Sequence, residues 1–236
     1  MSRIAVDIDS IAIIRNTLEE NLLDPAHLAV FAELGGAESI ICYFRDDLKT
    51  VNERDIRILK EIVKTHFNVR CNVNGETVRK LLTIKPDMIT FVTPESVDTL
   101  EPAPVNIDSY YSEISNFIAD LRANDVATSA YIEPEINQIK LAGKLEFDYI
   151  EISSKTYADS ENLDQQLSEL ENINSMVIAA NRLGMGVNIS GGLNQENITD
   201  IAKIQFLDDL IVGSALTCKA LALGFEQAVR DFKSYI

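Results

Sequence analysis

Residues 186–216, GVNISGGLNQENITDIAKIQFLDDLIVGSAL, contain two short β-branched runs, each followed by a glycine turn and a helical pattern. The runs are residues 186–189 and 209–212. The turns that follow them, called here the two glycine turns, are residues 190–192 and 213–214. Apolar residues at three- and four-residue spacing after each turn indicate helices. A short buried strand, a turn and a helix, repeated in this order, is typical of a parallel α/β sheet.

Units of the same kind recur along the whole chain. Six further runs predict strands at residues 3–9, 39–44, 68–73, 88–92, 127–132 and 147–152. Helical patterns occupy residues 25–34, 53–63, 76–82, 110–121, 135–142, 163–183, 196–202 and 215–232. Gly36, Gly143 and Gly184 fall just past such patterns and predict left-handed helix ends. Eight units in 236 residues predict an α/β fold of one domain, residues 1–236. They favour a closed (β/α)8 TIM barrel, with an open sheet of six or seven strands as the alternative.

The net charge and the histidine content limit the partners and the catalytic chemistry that we expect. The chain has 21 Lys+Arg and 37 Asp+Glu, a net charge of −16 at pH 7. A field of this sign repels phosphate backbones and anionic lipid, so we expect neither nucleic acid nor a membrane as partner. There is no apolar run near 18 residues and no leader pattern, which predicts a cytoplasmic protein. The two histidines, His27 and His66, are predicted to lie away from the site, which disfavours histidine chemistry.

In a TIM barrel the functional groups project from the carboxyl ends of the strands. The polar and glycine residues predicted there are Asp7, Asp9, Tyr43, Arg45, Arg70, Asn72, Glu133, Glu151, Asn188, Gly191, Gly192, Gly213 and Ser214. Backbone N–H groups of the two glycine turns, together with the helix N-termini that follow them, suit a phosphate monoester. The alternative is that each glycine only satisfies the geometry of its turn.

Three carboxylates form a second candidate cluster. On a strand, Asp7 and Asp9 would share a face at about 6.5 to 7 Å, and Glu151 would approach them across the barrel. The cluster predicts either a general base or a hard-cation site. The favoured alternative is a buried ion network in which Arg45 and Arg70 satisfy the carboxylates. We expect Arg70 and Asn72 to point inward, because the helix-facing side of their strand must be apolar.

The connection at residues 93–106 is longer than usual for such units, and three of the six prolines lie in it. It follows the fourth predicted strand and therefore lies at the carboxyl face. Two interpretations stay open: a lid over a ligand, or a passive surface loop.

Several motifs occur in order along the chain. They are VDIDSIAIIRN from residue 6, CYFRDDLKTVNERDIRIL from residue 42, KPDMITFVTPE from residue 85, FDYIEISSKTYA from residue 147, VNISGGLN from residue 187 and LIVGSAL from residue 210. As an ordered set they resemble bacterial pyridoxine 5′-phosphate synthase. That barrel family condenses 3-amino-2-oxopropyl phosphate with 1-deoxy-D-xylulose 5-phosphate, and the resemblance implies a homo-oligomer.

The resemblance also implies roles for individual positions. The family's general-base histidine, its strand-three glutamate and its strand-seven histidine fall on Tyr43, Arg70 and Gly191. Four further ligand contacts, one Asn and three His in the family, fall on Asp7, Ser10, Thr50 and Ser214. The positions that match are Asp9, Arg15, Asn16, Arg45, Glu151, Gly192 and Gly213, and Thr99 is aligned with a loop threonine. Neither a tyrosine with a pKa near 10 nor an always-charged arginine replaces histidine or glutamate at neutral pH.

These observations predict a divergent member of that family that binds a small phosphorylated metabolite and has lost or altered the condensation. The binding residues expected are Asp7, Asp9, Ser10, Arg45, Arg70, Gly191, Gly192, Gly213 and Ser214. One alternative is an active synthase, a C–N bond-forming transferase in which Asp9, Glu151 or Tyr43 transfers protons. Another is a non-catalytic structural or regulatory barrel. We expect no cofactor and no metal. The alternative to a metal-free site is a metal ion held by Asp7, Asp9 and Glu151.

Overall fold

A computed structural model of the chain describes residues 2–18, 23–94 and 100–236. Eight parallel strands close into a barrel, because β3 pairs with β4 at the far side of the sheet order. The strands are β1 Arg3–Asp7, β2 Ser39–Phe44, β3 His66–Asn72, β4 Met88–Pro94, β6 Ala127–Ile132, β7 Tyr149–Ser153, β8 Gly186–Ser190 and β9 Asp209–Val212. A two-residue strand, β5 Pro102–Ala103, pairs antiparallel with β4. The predicted TIM barrel is confirmed.

Helices cover the outside of the barrel. They are α1 Asp9–Leu18, α2 Pro25–Gly35, α3 Glu53–Ile62, α4 Gly75–Ile84, α5 Tyr111–Arg122, α6 Ile136–Lys144, α7 Lys155–Ala158, α8 Leu163–Arg182, α9 Ile198–Ala202, α10 Ser214–Leu223 and α11 Phe225–Lys233. The main hydrophobic core lies between these helices and the outer faces of the strands. Among the described residues, no helix combines the length and apolar character needed to span a membrane.

The first strand is shorter than the sequence predicts. It ends at Asp7, and Asp9 is the first residue of α1 rather than part of the strand. The Asp7 side chain accepts a hydrogen bond from the Asp9 amide at 2.9 Å, which turns the chain into the helix. The prediction that Asp7 and Asp9 share a strand face is therefore wrong.

Two glycines act differently from the prediction. Gly143 lies inside α6, where a Cβ would stand 2.9 Å from Leu183 Cδ1, so the absence of a side chain permits close helix packing. The left-handed residue after that helix is Glu146, with φ 60°. Gly224, with φ 83° and ψ 155°, divides the predicted helix 215–232 into α10 and α11.

The barrel interior contains both apolar and polar side chains. Ala5, Ile41 and Ile211 pack together inside, and Tyr43, Val92 and Tyr131 form a second inner cluster. On β3, Arg70 and Asn72 point inward, as the predicted register requires. Val69 and Cys71 belong to the outer core.

The described parts of the 93–106 connection continue the sheet. Thr93 lies opposite Ala103, and its hydroxyl donates to the Pro104 carbonyl at 3.0 Å. The Val105 amide donates to the Tyr131 carbonyl at 2.7 Å. Residues 95–99, with Thr99, lie outside the described residues, and the lid interpretation depends on them.

Candidate functional site

The centre of the barrel mouth holds an ion cluster built around Arg70. Its Nη1 lies 2.5 Å from Asp7 Oδ2, and its Nη2 lies 2.7 Å from Glu151 Oε1. Arg70 Nε also donates to Glu151 Oε2 at 3.3 Å, and the Ser190 hydroxyl donates to Glu151. Arg70 and Glu151 are buried. The ion-network interpretation of the carboxylates therefore holds for Arg70, whose pKa is raised by both partners against the effect of burial.

Asp9 extends this cluster below the surface. Its Oδ1 accepts from the Tyr43 amide at 2.8 Å, and it is buried. Burial raises the pKa of Asp9 well above its ordinary value, and the neighbouring Asp7 raises it further. Burial and the neighbouring Asp7 therefore both disfavour the charged form of Asp9.

Tyr43, on the family's base position by resemblance, is held inside the barrel. Its hydroxyl donates to Asn72 Oδ1 at 2.5 Å, and the side chain is fully buried. Burial raises its pKa well above the usual tyrosine value, although Arg45 opposes the shift. Asn72 in turn donates to Asp46 Oδ2 at 2.9 Å. A tyrosine in this environment does not accept a proton at neutral pH.

Three residues at positions that match the family have partners outside the Arg70 cluster. Arg45 pairs with Asp47 at 2.8 Å and stacks on the Tyr43 ring, so its predicted place in the Asp7–Asp9–Glu151 network is wrong. Arg15 makes two hydrogen bonds of 2.8 Å to Asp55, outside the barrel mouth. The Asn16 side chain donates to the carbonyls of Lys49 and Thr50 and ties α1 to the β2–α3 loop.

Gly191 and Gly192 form the first glycine turn in a backbone conformation that excludes most side chains. Their φ angles are 103° and 70°. A Cβ on Gly192 would stand 2.5 Å from Ala158 Cβ, and one on Gly191 would stand 3.2 Å from the Lys155 amide nitrogen. The turn therefore requires glycine for packing against α7 as well as for φ. Within the described residues, the backbone amides of Gly191 and Gly192 donate no hydrogen bond.

The second glycine turn leads directly into α10. Gly213 precedes the helix without a side-chain cap, and Ser214 is its exposed first residue. The uncapped first-turn amides carry partial positive charge and suit an anion. Ser10, half-buried in the first turn of α1, is the other predicted binding residue near this edge.

Thr217 was not singled out from the sequence. It is buried, and within the described residues its hydroxyl has no hydrogen-bond partner. Thr217 lies one helical turn after Gly213, and its amide donates to the Gly213 carbonyl at 3.0 Å. Helical side chains tilt toward the N-terminus. The spacing of four from Gly213 is the signal that would have identified this hydroxyl.

Accessibility separates the two halves of the site. Asp7 keeps 15% of its side chain exposed, whereas Arg70 keeps 3% and Glu151 none. Gly192 and Ser214 are exposed, and Gly191 and Gly213 are half-buried. A ligand at this mouth therefore meets the glycine turns and Asp7, and not the buried centre of the ion cluster.

The ion cluster around Arg70 disfavours the alternative of a metal site. Arg70 lies between Asp7 and Glu151, and in the described part of the chain no group of three His, Cys, Asp or Glu side chains is arranged to hold an ion. Two surface depressions, of about 460 and 500 Å³, lie elsewhere: one beside the start of α6, the other between α2 and the α10–α11 break.

Comparison with known proteins decides the family. The family model described as pyridoxal phosphate biosynthesis protein PdxJ matches residues 4–236. The chain belongs to the PdxJ family. A relative from Prochlorococcus marinus subsp. pastoris, named pyridoxine 5′-phosphate synthase, is 33% identical over 236 residues, covering 100% of this chain and 99% of the relative. Its counterpart of the same name from Geotalea daltonii is 32% identical over 231 residues, 98% of this chain and 97% of the relative.

Solved structures agree with this assignment at the level of fold. KGPDC from Streptococcus mutans superposes with a TM-score of 0.66 at 12% identity, over 100% of this PdxJ-family chain and 97% of the other. A phosphoribosylanthranilate isomerase from Thermotoga maritima gives 0.61 at 11% identity, over 100% and 98%. At such identities the likeness concerns the barrel alone.

Proposed function

We propose that this PdxJ-family barrel binds a small phosphorylated metabolite at the two glycine turns and does not carry out the condensation for which its relatives are named. At the accessible edge of the mouth, the turns supply backbone amides that donate to no other described residue. The Thr217 hydroxyl, which has no hydrogen-bond partner among the described residues, lies one helical turn after Gly213 and offers a further group for a bound oxyanion or its water.

The ion cluster of Arg70 supports the second half of the proposal, that the condensation is not carried out. Condensation and ring closure need several proton transfers, each assisted by about 10²- to 10⁴-fold by a positioned acid or base. Glu151 is occupied by Arg70 and Ser190, and Gly191 has no side chain. Tyr43 is buried, with a raised pKa. The ion pair of Glu151, the burial of Tyr43 and the missing side chain at Gly191 support the loss of the condensation.

Two measurements test the proposal together. Calorimetry with pyridoxine 5′-phosphate and small sugar phosphates should give binding at millimolar concentration or tighter. An assay that supplies 3-amino-2-oxopropyl phosphate and 1-deoxy-D-xylulose 5-phosphate should give no pyridoxine 5′-phosphate above background. Absence of binding contradicts the first half, and product formation contradicts the second.

The environment of Asp9 favours one alternative function, an active synthase that uses a different acid for proton transfer. Its carboxyl has a raised pKa and lies beside Asp7 at the mouth, as proton-transfer groups often do. If the assay above yields product, Asp9→Asn should reduce the rate by at least about 10²-fold. Asp120→Asn, an exposed change on α5, should leave the rate unaltered.

We also propose that the chain self-associates, with a second copy covering the groove between α2 and the α10–α11 break. Phe31 and Leu223 line this groove with 45% and 48% of their surface exposed. Light scattering after gel filtration should give a multiple of 26.2 kDa. Phe31→Glu should reduce that mass, whereas Phe206→Glu, at a phenylalanine exposed elsewhere, should not. A monomeric wild-type mass contradicts this proposal.

A further inference from the structure

We propose that Asp7 makes the anion site of this barrel selective for an oxyanion that carries a proton, such as a singly protonated phosphate monoester, over one that carries none, such as sulfate. The inference rests on the proposed function, because it concerns the ligand of the same glycine turns. It assigns Asp7 a role in specificity.

The position of Asp7 is the first support. A Cβ placed on Gly213 would stand 3.3 Å from Asp7 Cβ and 3.8 Å from Asp7 Oδ2, so the carboxylate borders the second glycine turn directly. It is also the accessible member of the ion cluster, with 15% of its side chain exposed against 3% for Arg70. An anion bound at the Gly213 and Ser214 amides therefore lies beside a carboxylate oxygen.

The hydrogen bonds of Asp7 leave room for one more donor. A carboxylate accepts about four hydrogen bonds. Asp7 Oδ1 accepts from the Asp9 amide at 2.9 Å and Oδ2 accepts from Arg70 Nη1 at 2.5 Å. The buried Asp9 carboxyl, whose charged form burial disfavours, lies beside it. A ligand hydroxyl can donate to the remaining acceptor position.

Charge makes the remaining position selective. Three groups pack around Asp7: the Arg70 cation on β3, Glu151 on β7, which pairs with the same Arg70, and Asp9 on α1. Asp9 is a buried carboxyl with a raised pKa that accepts from the Tyr43 amide. Arg70 is shared between Asp7 and Glu151, so these charged groups leave a net negative site. A fully ionised oxyanion is repelled by Asp7, whereas a protonated one replaces the repulsion with a hydrogen bond.

Titrations with glycerol 3-phosphate and with sulfate test this proposal. Because the second pKa of a phosphate monoester is about 6, the protonated form gains population as pH falls from 8 to 6. We expect glycerol 3-phosphate to bind at least about tenfold more tightly than sulfate at pH 6, since the site adds one hydrogen bond and removes one repulsion. We expect its affinity to rise at least about fivefold between pH 8 and pH 6, while sulfate affinity stays constant.

Asp7→Asn is the decisive variant, because Asn keeps the size of the side chain and removes the charge. It should bring the ratio of the two affinities to within about twofold, chiefly by strengthening sulfate binding. Asp120→Asn removes the same charge from an exposed position on α5 and should leave the ratio unchanged.

The outcomes distinguish failure of the proposed function from failure of the role of Asp7. If neither anion binds the wild-type protein, the proposed function fails and this inference fails with it. If both bind with equal affinity, or if Asp7→Asn keeps the preference, the glycine turns remain the site and only the role of Asp7 is overturned. Should Asp7→Asn not fold, a wild-type phosphate affinity that does not change with pH overturns the inference by itself.

Discussion

Arg70 is the residue on which the buried charge of the barrel mouth depends. Replacing it with methionine keeps much of its volume but leaves Glu151, which has no exposed surface, with the Ser190 hydroxyl as its one partner among the described residues. Breaking a buried pair in this way costs about 3 to 5 kcal/mol. We therefore expect Arg70→Met to lower the free energy of unfolding by that amount in urea denaturation.

Arg57→Met is the matched control for this change. Arg57 pairs with Glu53 at 2.7 Å on the surface of α3, where both side chains are about half exposed. Exposed pairs of this kind contribute about 0 to 1 kcal/mol. Equal losses in the two variants would show that the Arg70 cluster does not have the buried character described.

Asp209 gives the protein a dependence of stability on pH. Burial raises its pKa from 3.8 to about 6, and the ion pair with Arg3 opposes this shift only in part. The folded state therefore holds the proton more tightly than the unfolded chain. The stability is fully present below pH 4 and is lost as pH rises to 6, a change of about 3 kcal/mol at 1.36 kcal/mol for each pKa unit.

Asp209→Asn isolates that contribution. An amide oxygen can still accept the 2.7 Å hydrogen bond from Arg3 Nε, but the side chain no longer ionises. Between pH 4 and 6 the unfolding free energy of the variant should fall by about 3 kcal/mol less than that of the wild type. Parallel curves for the two proteins, measured by urea denaturation at several pH values, would contradict the raised pKa.

The sequence places these residues on the correct face but does not predict their partners. Alternation along β3 predicts that Arg70 points inward, because a strand has a period of two. Its bond to Glu151 joins residues 81 apart, and several other inward carboxylates were equally available in the pattern. Arg45 illustrates the limit: a neighbouring carboxylate, Asp47, takes it out of the predicted network.

At the scale of elements, Gly224 separates α10 from α11. Its φ of 83° and ψ of 155° belong to a region that only glycine enters readily. In Gly224→Ala no described residue lies within 4 Å of the new Cβ, so the cost of the substitution arises from the backbone. We expect a loss of about 1 to 3 kcal/mol in thermal or urea unfolding.

Gly75→Ala provides the comparison. Gly75 is in the first turn of α4 with an ordinary φ, and a Cβ there would make van der Waals contacts of 3.6 Å with Phe117. Such a change is expected to be neutral or stabilising by up to about 1 kcal/mol. A loss at Gly75 as large as that at Gly224 would indicate that backbone conformation is not the cause.

The limits of strands and helices with strong hydrophobic periodicity are predicted closely. Limits that depend on a single residue are not. The limits of β2, β6 and β9 agree with the β-branched runs at residues 39–44, 127–132 and 209–212. The sequence does not predict helix α1, because its first turn depends on the Asp7 side chain and apolar residues at positions 4, 6 and 8 continue the strand pattern. The prediction for Gly143 is wrong because close packing against Leu183, and not a helix end, requires a glycine there.

At the scale of the whole molecule, the amino-acid sequence constrains the fold and the family far more strongly than the reaction. The barrel superposes on proteins that are 11% and 12% identical, and the family match spans residues 4–236. The closed sheet is stabilised by many interchangeable apolar contacts, whereas proton transfer depends on a few side chains. A chain can therefore keep the barrel and its glycine turns while Tyr43, Arg70 and Gly191 stand at the positions that the resemblance assigns to acid–base groups.

The net charge of −16 leads to a prediction about anion binding by the whole molecule. At low ionic strength this field extends about 30 Å and opposes the approach of a phosphate ester, whereas at 0.15 M salt it extends about 8 Å. The attraction at the site comes from short-range amide dipoles, which salt screens less. We expect the affinity for glycerol 3-phosphate to rise about two- to fivefold between 10 and 150 mM potassium gluconate in calorimetric titrations. A steady fall with salt would instead indicate that unpaired cationic side chains dominate binding, contrary to the ion pairs of Arg45 and Arg70.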